Sequence, residues 1–332
     1  MAAAGALLVG ALCPLTAPGS PRSPIPPIAV AAANARPALH DGVPPSPPRV
    51  PGPDNGELAS TPSERACHWV GTAPTLGTDP ARRAPSSTPT VAAIHVPVLM
   101  YHHVLPKSLL KSRERYPDLF VDAATFDAQM AALKSNGWHT ITTRQLAAAL
   151  MSGTGVPVHS LVITFDDGRP DQYTFAFPIL ERHGFSATFF IVPGRIGTSQ
   201  HMTACQLQQI AAAGNELADH TWNHGDLTTL AYEQARSRIR AAADAIESLV
   251  GVRPVTMAYP YGHYNSTVEA AADAEGMYLA FTTRHGAFES SATRLAEPRL
   301  RVQGVVRQAD GTYDGGTSAQ GLLWLVSPYS GS

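Results

Sequence analysis

Short apolar runs alternate with longer amphipathic segments between residues 94 and 306. The clearest run, Leu161–Phe165, is apolar and β-branched and ends abruptly in Asp166, Asp167 and Gly168. A continuous apolar run of this length predicts a strand buried on both faces, as in a parallel sheet. Further strands are predicted at residues 96–101, 186–192, 215–218, 255–259, 278–282 and 300–302.

The amphipathic segments between these runs predict helices. They cover residues 124–136, 143–151, 171–183, 203–213, 232–250 and 266–274, and Gly251 is a suitable C-cap for the longest of them. Strands and helices that alternate in this way indicate parallel βαβ units. We therefore expect an α/β fold in which six or more such units close into a distorted (β/α) barrel.

The N-terminal part of the chain has a different composition. Residues 1–17 are small and apolar, like the apolar region of a secretory signal, but they lack the positive residues that precede such a region. A start upstream of Met1 and an Ala-rich low-complexity segment both remain open. Of the 29 prolines, 18 precede residue 90, so residues 18–92 are expected to form a disordered linker. A globular domain at 93–306 and a packed tail at 307–332, apolar at Leu322–Val326, would follow. We expect a secreted or cell-wall-associated protein.

Charge and cysteine content exclude several classes of function. A net charge of -2 with 15% charged residues argues against nucleic acid or a charged membrane surface as a partner. We expect the protein to be a monomer. No later segment is apolar for long enough to span a bilayer. Cys13, Cys67 and Cys205 form no C-x-x-C pattern, so a thiolate zinc site is not expected. A disulfide between Cys67 and Cys205 and a pair of inert thiols are both open.

Asp166 and Asp167 are the first candidates for chemistry. They follow a predicted barrel strand, and the carboxyl ends of the strands form the catalytic face of such barrels. Two adjacent carboxylates repel each other, so a metal ion is a plausible source of the compensating charge. The alternative is an Asp-Gly turn without a chemical role.

A second candidate cluster follows the next strand but one. His220 and His224 are four residues apart, which predicts one helical turn with both imidazoles on the same side. Two histidines and one carboxylate leave a coordination position open for water, as in catalytic zinc sites. A third motif, Tyr259-Pro260-Tyr261-Gly262, predicts a tight turn in which the Tyr261 N–H serves as an oxyanion donor. Taken singly, the histidines could be a surface pair and the third motif an ordinary turn.

Together these motifs resemble the polysaccharide deacetylase (NodB-homology) family. The resemblance rests on Thr164–Gly168, on His220 with His224, and on Tyr259–Gly262 in that order. The stretches 97–103, 187–190 and 298–302 are similar to the branch with the poly-N-acetylglucosamine deacetylases. The resemblance implies a polysaccharide substrate and a divalent metal ion, usually zinc, bound by Asp167, His220 and His224. It further implies Asp166 as the general base toward the attacking water and Tyr261 as the oxyanion donor.

The chain departs from the family pattern at two places. Ala258 stands where an arginine often orients the base, so another cation is expected to do so. We predict that the Arg299 guanidinium lies about 2.7 to 2.9 Å from the Asp166 carboxylate, with Arg301 as the second candidate and two surface arginines as the alternative. The late Leu-x-His motif that supplies the general acid is also missing. The early Leu99–His102 stretch suggests His102 for that role, whereas His102 could also be a neighbour of the metal or a core histidine.

Other functions remain open on the sequence alone. A glycoside hydrolase could use Asp166 or Asp167, although adjacent strand residues point in opposite directions and the histidines would be unexplained. A wall-binding module with a decayed site is a further possibility, but all three metal ligands are present. Peptidoglycan, chitin-like polymers, poly-N-acetylglucosamine and O-acetyl esters are all compatible substrates.

Overall fold

A ring of seven parallel strands is the main feature of the computed structural model, which describes residues 94–110, 116–287, 290–308 and 313–330. In chain order the strands are β1 (Val98–Tyr101), β2 (His103–Leu105), β3 (Phe120–Asp122), β4 (His139–Thr140), β5 (Ser160–Phe165), β6 (Thr188–Ile191), β7 (Glu216–Asp219), β8 (Thr256–Ala258), β9 (Leu279–His285), β10 (Glu297–Arg301), β11 (Val306–Arg307) and β12 (Tyr313–Asp314). The helices are α1 (Ala123–Ser135), α2 (Thr143–Ser152), α3 (Phe177–His183), α4 (Ala204–Ala212), α5 (Tyr232–Val250), α6 (Ser266–Ala274) and α7 (Ala319–Val326).

The ring confirms the predicted barrel. Its strands follow the order β1-β10-β9-β8-β7-β6-β5, and β5 pairs in parallel with β1 to close it. β4 continues the sheet from β5 as an eighth strand outside the ring. The barrel is distorted, because β8 has only three residues and the register between β9 and β10 shifts between Glu297 and Arg299. Because all seven ring strands are parallel, their carboxyl ends lie at the same end of the barrel.

Successive residues of the barrel strands belong to two different cores, as expected for strands buried on both faces. Leu99, Ile163, Phe165 and Phe189 pack with α1, α3 and α4 outside the barrel. The alternate residues, Val162 among them, pack with Phe190 and Phe281 in a second cluster. Thr164 and Asp166 continue the alternation that begins at Val162, so the side chain of Asp166 belongs to the barrel interior.

The predicted helices are present, and their ends follow local sequence rules. Thr142 and Thr203 begin α2 and α4 with capping boxes, in which each hydroxyl accepts a hydrogen bond from the backbone three residues later. α5 ends at Gly251, whose φ of 73° lies in the left-handed region, as predicted.

Several elements were not predicted, or were predicted in a different form. The segment 171–183 begins with a π-helical turn at Gln172–Ala176 before α3. The C-terminal apolar run, expected only as a packed tail, forms α7 and packs against α1. The short strands β2, β3, β4, β11 and β12 have too few residues to show an alternating pattern.

The predicted signal segment and linker, and Cys67 with its pairing to Cys205, lie outside the described residues. Of the helices that the structure describes, none has both the length and the apolar character needed to cross a bilayer.

Candidate metal centre and catalytic pocket

Asp166 and Asp167 follow β5 directly and face different partners. Asp166 is 2% exposed and points inward between the strand ends. Asp167 has a φ of 76°, a left-handed conformation that turns its carboxylate away from that of Asp166. Aspartate tolerates this conformation better than most residues do. The change of backbone direction therefore lets two sequence neighbours make separate sets of contacts.

His220 and His224 follow β7, but the predicted helical turn between them is wrong. Residues 220–224 form an irregular loop in which Thr221 and His224 have φ values of 64° and 59°. The loop is held from both sides. Trp222 donates its N–H to the Arg238 carbonyl and accepts a hydrogen bond from the Gly194 N–H. The loop contacts replace the helical hydrogen bonds and still bring the two imidazoles together, with ring centroids 4.8 Å apart.

The Asp167 carboxylate and the two imidazoles form a three-residue cluster. Asp167 Oδ1 lies 3.5 Å from His220 Nε2 and 3.2 Å from His224 Nε2, and the three ligand atoms lie within 4.8 Å of one another. Burial works against ionisation of Asp167, but hydrogen bonds from the two histidines outweigh it and hold the pKa of Asp167 well below its usual range. The cluster thus combines the predicted ligands around one point.

The chemistry of this donor set fits a divalent metal ion. The Ala258 carbonyl lies 2.7 Å from His220 Nδ1 and accepts its hydrogen bond, so Nε2, the nitrogen that faces Asp167, would be the ligand atom once an ion is bound. A histidine ligand whose other nitrogen donates to a carbonyl is the usual arrangement around protein-bound zinc. Two imidazoles and one carboxylate also match the ligands that zinc accepts in sites with an open position.

Arg299 occupies the place beside Asp166 that was predicted for it. It is 0% exposed, and its Nη1 and Nη2 groups each donate to one carboxylate oxygen of Asp166 at 2.7 Å. It also donates to the Thr164 hydroxyl and to the Thr282 carbonyl, each at 3.1 Å. Burial disfavours the charged form of Asp166, but the charge and hydrogen bonds of Arg299 outweigh burial and hold the pKa of Asp166 below its ordinary value. Asp166 is therefore ionised at neutral pH.

Arg301, the second candidate for this position, lies outside the pocket. Its side chain is 41% exposed and pairs with Asp118, which is itself more than half exposed. Ala258, at the position where the family pattern has an arginine, contributes its backbone carbonyl to His220 instead.

His102 and Tyr261 border the same pocket. His102 Nε2 lies 3.8 Å from Asp166 Oδ2, and burial lowers the pKa of His102 to about 4, so the ring is neutral at pH 7. Tyr261 has a φ of 61°, and its exposed ring packs edge-on against His224 with centroids 4.7 Å apart. The structure therefore brings all seven predicted site residues to one end of the barrel.

Sequence reasoning missed Arg169 and Gln172. The Arg169 guanidinium donates to Asp167 Oδ2 at 3.1 and 3.3 Å, so a cation contacts the acidic member of the metal cluster. Its position directly after Asp-Asp-Gly was the available signal. Gln172 donates to the backbone carbonyls of His102 and Asp166, and an isolated glutamine in an amphipathic segment gives no such signal.

Comparison with known proteins agrees with the site. The family model described as polysaccharide deacetylase matches residues 154–280. YxkH of Bacillus subtilis (strain 168), a protein named as a polysaccharide deacetylase, is 30% identical to this chain over 219 residues. The match covers 66% of this chain and 75% of YxkH. The chain belongs to the polysaccharide deacetylase family. It is thus a hydrolase, of the carbohydrate esterase type.

Two further relatives match different fractions of this polysaccharide deacetylase. The structure of Streptococcus pyogenes deacetylase PplD in complex with acetate aligns with a TM-score of 0.63 at 25% identity, over 70% of this chain and 99% of PplD. The peptidoglycan-N-acetylmuramic acid deacetylase PdaC of Bacillus subtilis (strain 168) is 31% identical over 33% of this chain and 24% of PdaC.

Proposed function

We propose that this protein hydrolyses N-acetyl groups of a polysaccharide that contains N-acetylglucosamine, releasing acetate and a free amine, with the help of a divalent metal ion, most simply zinc. One observation carries the proposal: an ionised carboxylate, held by a buried arginine, lies beside three side chains whose ligand atoms are close enough together to hold one metal ion. The partial similarity to PdaC, whose name specifies an N-acetyl substrate, supports an amide rather than an ester.

Each residue of the pocket has a defined task in this reaction. Asp167, His220 and His224 would hold the ion, which when bound acts as a Lewis acid and makes water acidic near neutral pH. Asp166 removes a proton from the attacking water, and Arg299 keeps its carboxylate ionised and oriented. The Tyr261 N–H donates a hydrogen bond to the oxygen that becomes negative as water adds to the acetyl carbon.

The amide C–N bond then breaks, and the nitrogen must gain a proton to leave as an amine. His102 is the group proposed to deliver it. Because its pKa is about 4, the His102 ring is neutral in the resting pocket and must take up a proton within the reaction cycle before it can act as an imidazolium acid. The 3.8 Å separation from Asp166 makes the proton removed from water the nearest source.

A glycoside hydrolase is disfavoured by the state of the two aspartates. Such enzymes need one carboxylic acid with a raised pKa beside one carboxylate. In this pocket the pKa values of Asp166 and Asp167 are both lowered. Neither side chain is therefore available as the proton donor to a glycosidic oxygen.

The decisive experiment measures acetate release by the purified full-length chain. The panel contains peptidoglycan, chitin oligomers, poly-N-acetylglucosamine and acetylated xylan, and each is assayed before chelation, after chelation and after zinc is restored. Release from an N-acetyl substrate that stops on chelation and returns with zinc is the expected result. Release from acetylated xylan alone would make the protein an O-acetyl esterase.

Metal content provides an independent check. The wild type should retain about one zinc ion per chain after dialysis, whereas His224→Ala should lose the ion and the activity together. Full metal occupancy with normal turnover in His224→Ala would remove that histidine from the ligand set. We further propose export to the cell wall or the medium, where such polymers are found, and action as a monomer.

A further inference from the structure

Gln172 lies where the ends of two catalytic strands meet. It is the first residue of the π-helical turn and is fully buried. Its single side-chain nitrogen donates to the carbonyl of His102 at 2.7 Å and to the carbonyl of Asp166 at 2.6 Å. One amide group therefore connects the backbone of the proposed general base to the backbone of the proposed general acid.

The two carbonyls need this donor because they lie beyond the end of the strand pairing. The last paired residues of β1 and β5 are Tyr101 and Phe165, and the Asp166 N–H still donates to the Tyr101 carbonyl. The next carbonyl on each strand, that of His102 and that of Asp166, lies beyond the last hydrogen bond between β1 and β5. Buried backbone carbonyls in native proteins are almost always hydrogen-bonded. The two hydrogens of the Gln172 amide supply one bond to each.

The neighbouring residue strengthens the same connection. Asp171 accepts hydrogen bonds at 2.9 Å from the Val104 N–H and from His103 Nδ1, so it fixes the chain just after His102. Two consecutive side chains at the start of the helical segment thus hold the end of β1. π-Helical turns are rare and are frequently found at functional sites.

We propose that Gln172 is a positioning residue that sets the separation between His102 and Asp166, and this proposal rests on the deacetylase function proposed above. Arg299 fixes the Asp166 carboxylate from one side, while Gln172 fixes the backbone from which both side chains extend. The 3.8 Å between His102 Nε2 and Asp166 Oδ2 is the result. Gln172 contacts no reacting atom, so its effect passes through these two residues.

The role requires a side-chain amide in one orientation. With the nitrogen toward the two carbonyls, both contacts are attractive, and the opposite orientation would set three oxygens against one another. The side-chain oxygen of Gln172 is buried and accepts no hydrogen bond from any described residue. The orientation of the amide group is therefore set only by the two hydrogen bonds that its nitrogen donates. Methionine matches the length of the side chain but removes both donors.

Gln129 provides a matched control for the experiment. It is also a fully buried glutamine, it donates to the Thr317 carbonyl and accepts from the Tyr101 hydroxyl, and it lies on α1 outside the pocket. Gln172→Met and Gln129→Met should both lower the melting temperature. Only Gln172→Met should lower kcat, by about 10- to 100-fold, since small misplacements of catalytic groups have effects of that size. KM and zinc content should not change in either variant.

A crystal structure of each variant supplies a readout that does not depend on activity. We expect the separation between His102 Nε2 and Asp166 Oδ2 to change in Gln172→Met and to be preserved in Gln129→Met. If Gln172→Met does not fold, Gln172→Glu keeps the size and replaces the donors by an acceptor, with the same expectation. An unchanged separation, normal kcat in the Gln172 variant, or an equal loss of kcat in both variants would overturn the proposal. A wild type inactive on every glycan would instead contradict the proposed function, and the crystal structures would still test the positioning role.

Discussion

The buried pair between Arg299 and Asp166 gives the sharpest test of the catalytic assignment. Arg299→Met keeps much of the side-chain volume but leaves the Asp166 carboxylate buried without its two 2.7 Å hydrogen bonds. Removing one partner of a buried ion pair costs about 3 to 5 kcal/mol in the free energy of unfolding. Arg299→Lys keeps the charge but not the two-pronged geometry, so we expect kcat to fall by about 10- to 100-fold with a smaller loss of stability.

The pH dependence of the effect follows from the direction of the pKa shift. The pKa of Asp166 is lowered in the folded protein, so the pair stabilises the fold above the unfolded pKa of about 3.9 and loses this contribution as the pH falls through the folded value. The stability difference between wild type and Arg299→Met should therefore be large at pH 7 and shrink below about pH 4. Urea unfolding at both pH values measures it, and the kcat of the zinc-loaded proteins completes the assay.

Arg301→Met is the control on the same strand. Arg301 and Asp118 are both exposed, and exposed ion pairs contribute at most about 1 kcal/mol. We expect a small loss of stability and unchanged kcat. Equal costs at the two arginines, or normal turnover in Arg299→Lys, would refute the reasoning that links burial of the pair to orientation of the base.

Three further predictions concern the two aspartates, a second buried acid and the N-terminal segment. Asp166→Asn should keep zinc but lose turnover, whereas Asp167→Asn should lose zinc, and metal analysis with acetate release distinguishes the two; identical behaviour would contradict the assigned roles. Burial raises the pKa of Glu297 to about 7, so its ionisation opposes folding as the pH rises from about 4.3 toward 7. Glu297→Gln should gain stability relative to the wild type across that window in urea unfolding, and a constant difference would exclude the shift. A chain that starts at residue 91 should remain folded by circular dichroism and active on soluble oligomers, and loss of its fold would show that the domain boundary is misplaced.

The barrel and most of the site could be predicted because their signals are local. Asp166, His220 and Tyr261 each follow a buried strand, and the parallel arrangement brings such positions to one end of the barrel without any knowledge of long-range contacts. Arg299 could be predicted by a different argument, from a charge that the base requires and that Ala258 does not supply.

The conformation of the loop from His220 to His224 could not be predicted from spacing. A separation of four residues is compatible with a helical turn and with an irregular loop. Which of the two forms depends on hydrogen bonds between Trp222 and the backbone of Arg238 and Gly194, which are both distant from the loop in sequence. The π-helical turn at Gln172 is a similar case. One extra residue at the start of a helix leaves the amphipathic pattern of α3 almost unchanged. The Gln172 amide, which donates to the ends of two strands, therefore has no sequence signature.

The left-handed backbone at Asp167, Thr221 and His224 has a consequence for directed evolution of this protein. Each non-glycine residue in that conformation carries an unfavourable energy of order 1 to 3 kcal/mol, which the rest of the barrel must offset. Glycine or asparagine would relieve it, so a library screened only for heat resistance should accumulate these residues at the three positions. Variants at Asp167 and His224 would fold better and release no acetate, because both side chains belong to the proposed metal site. A selection scheme for this scaffold therefore needs a turnover step in every round, and stabilising substitutions are better sought on the outer helices.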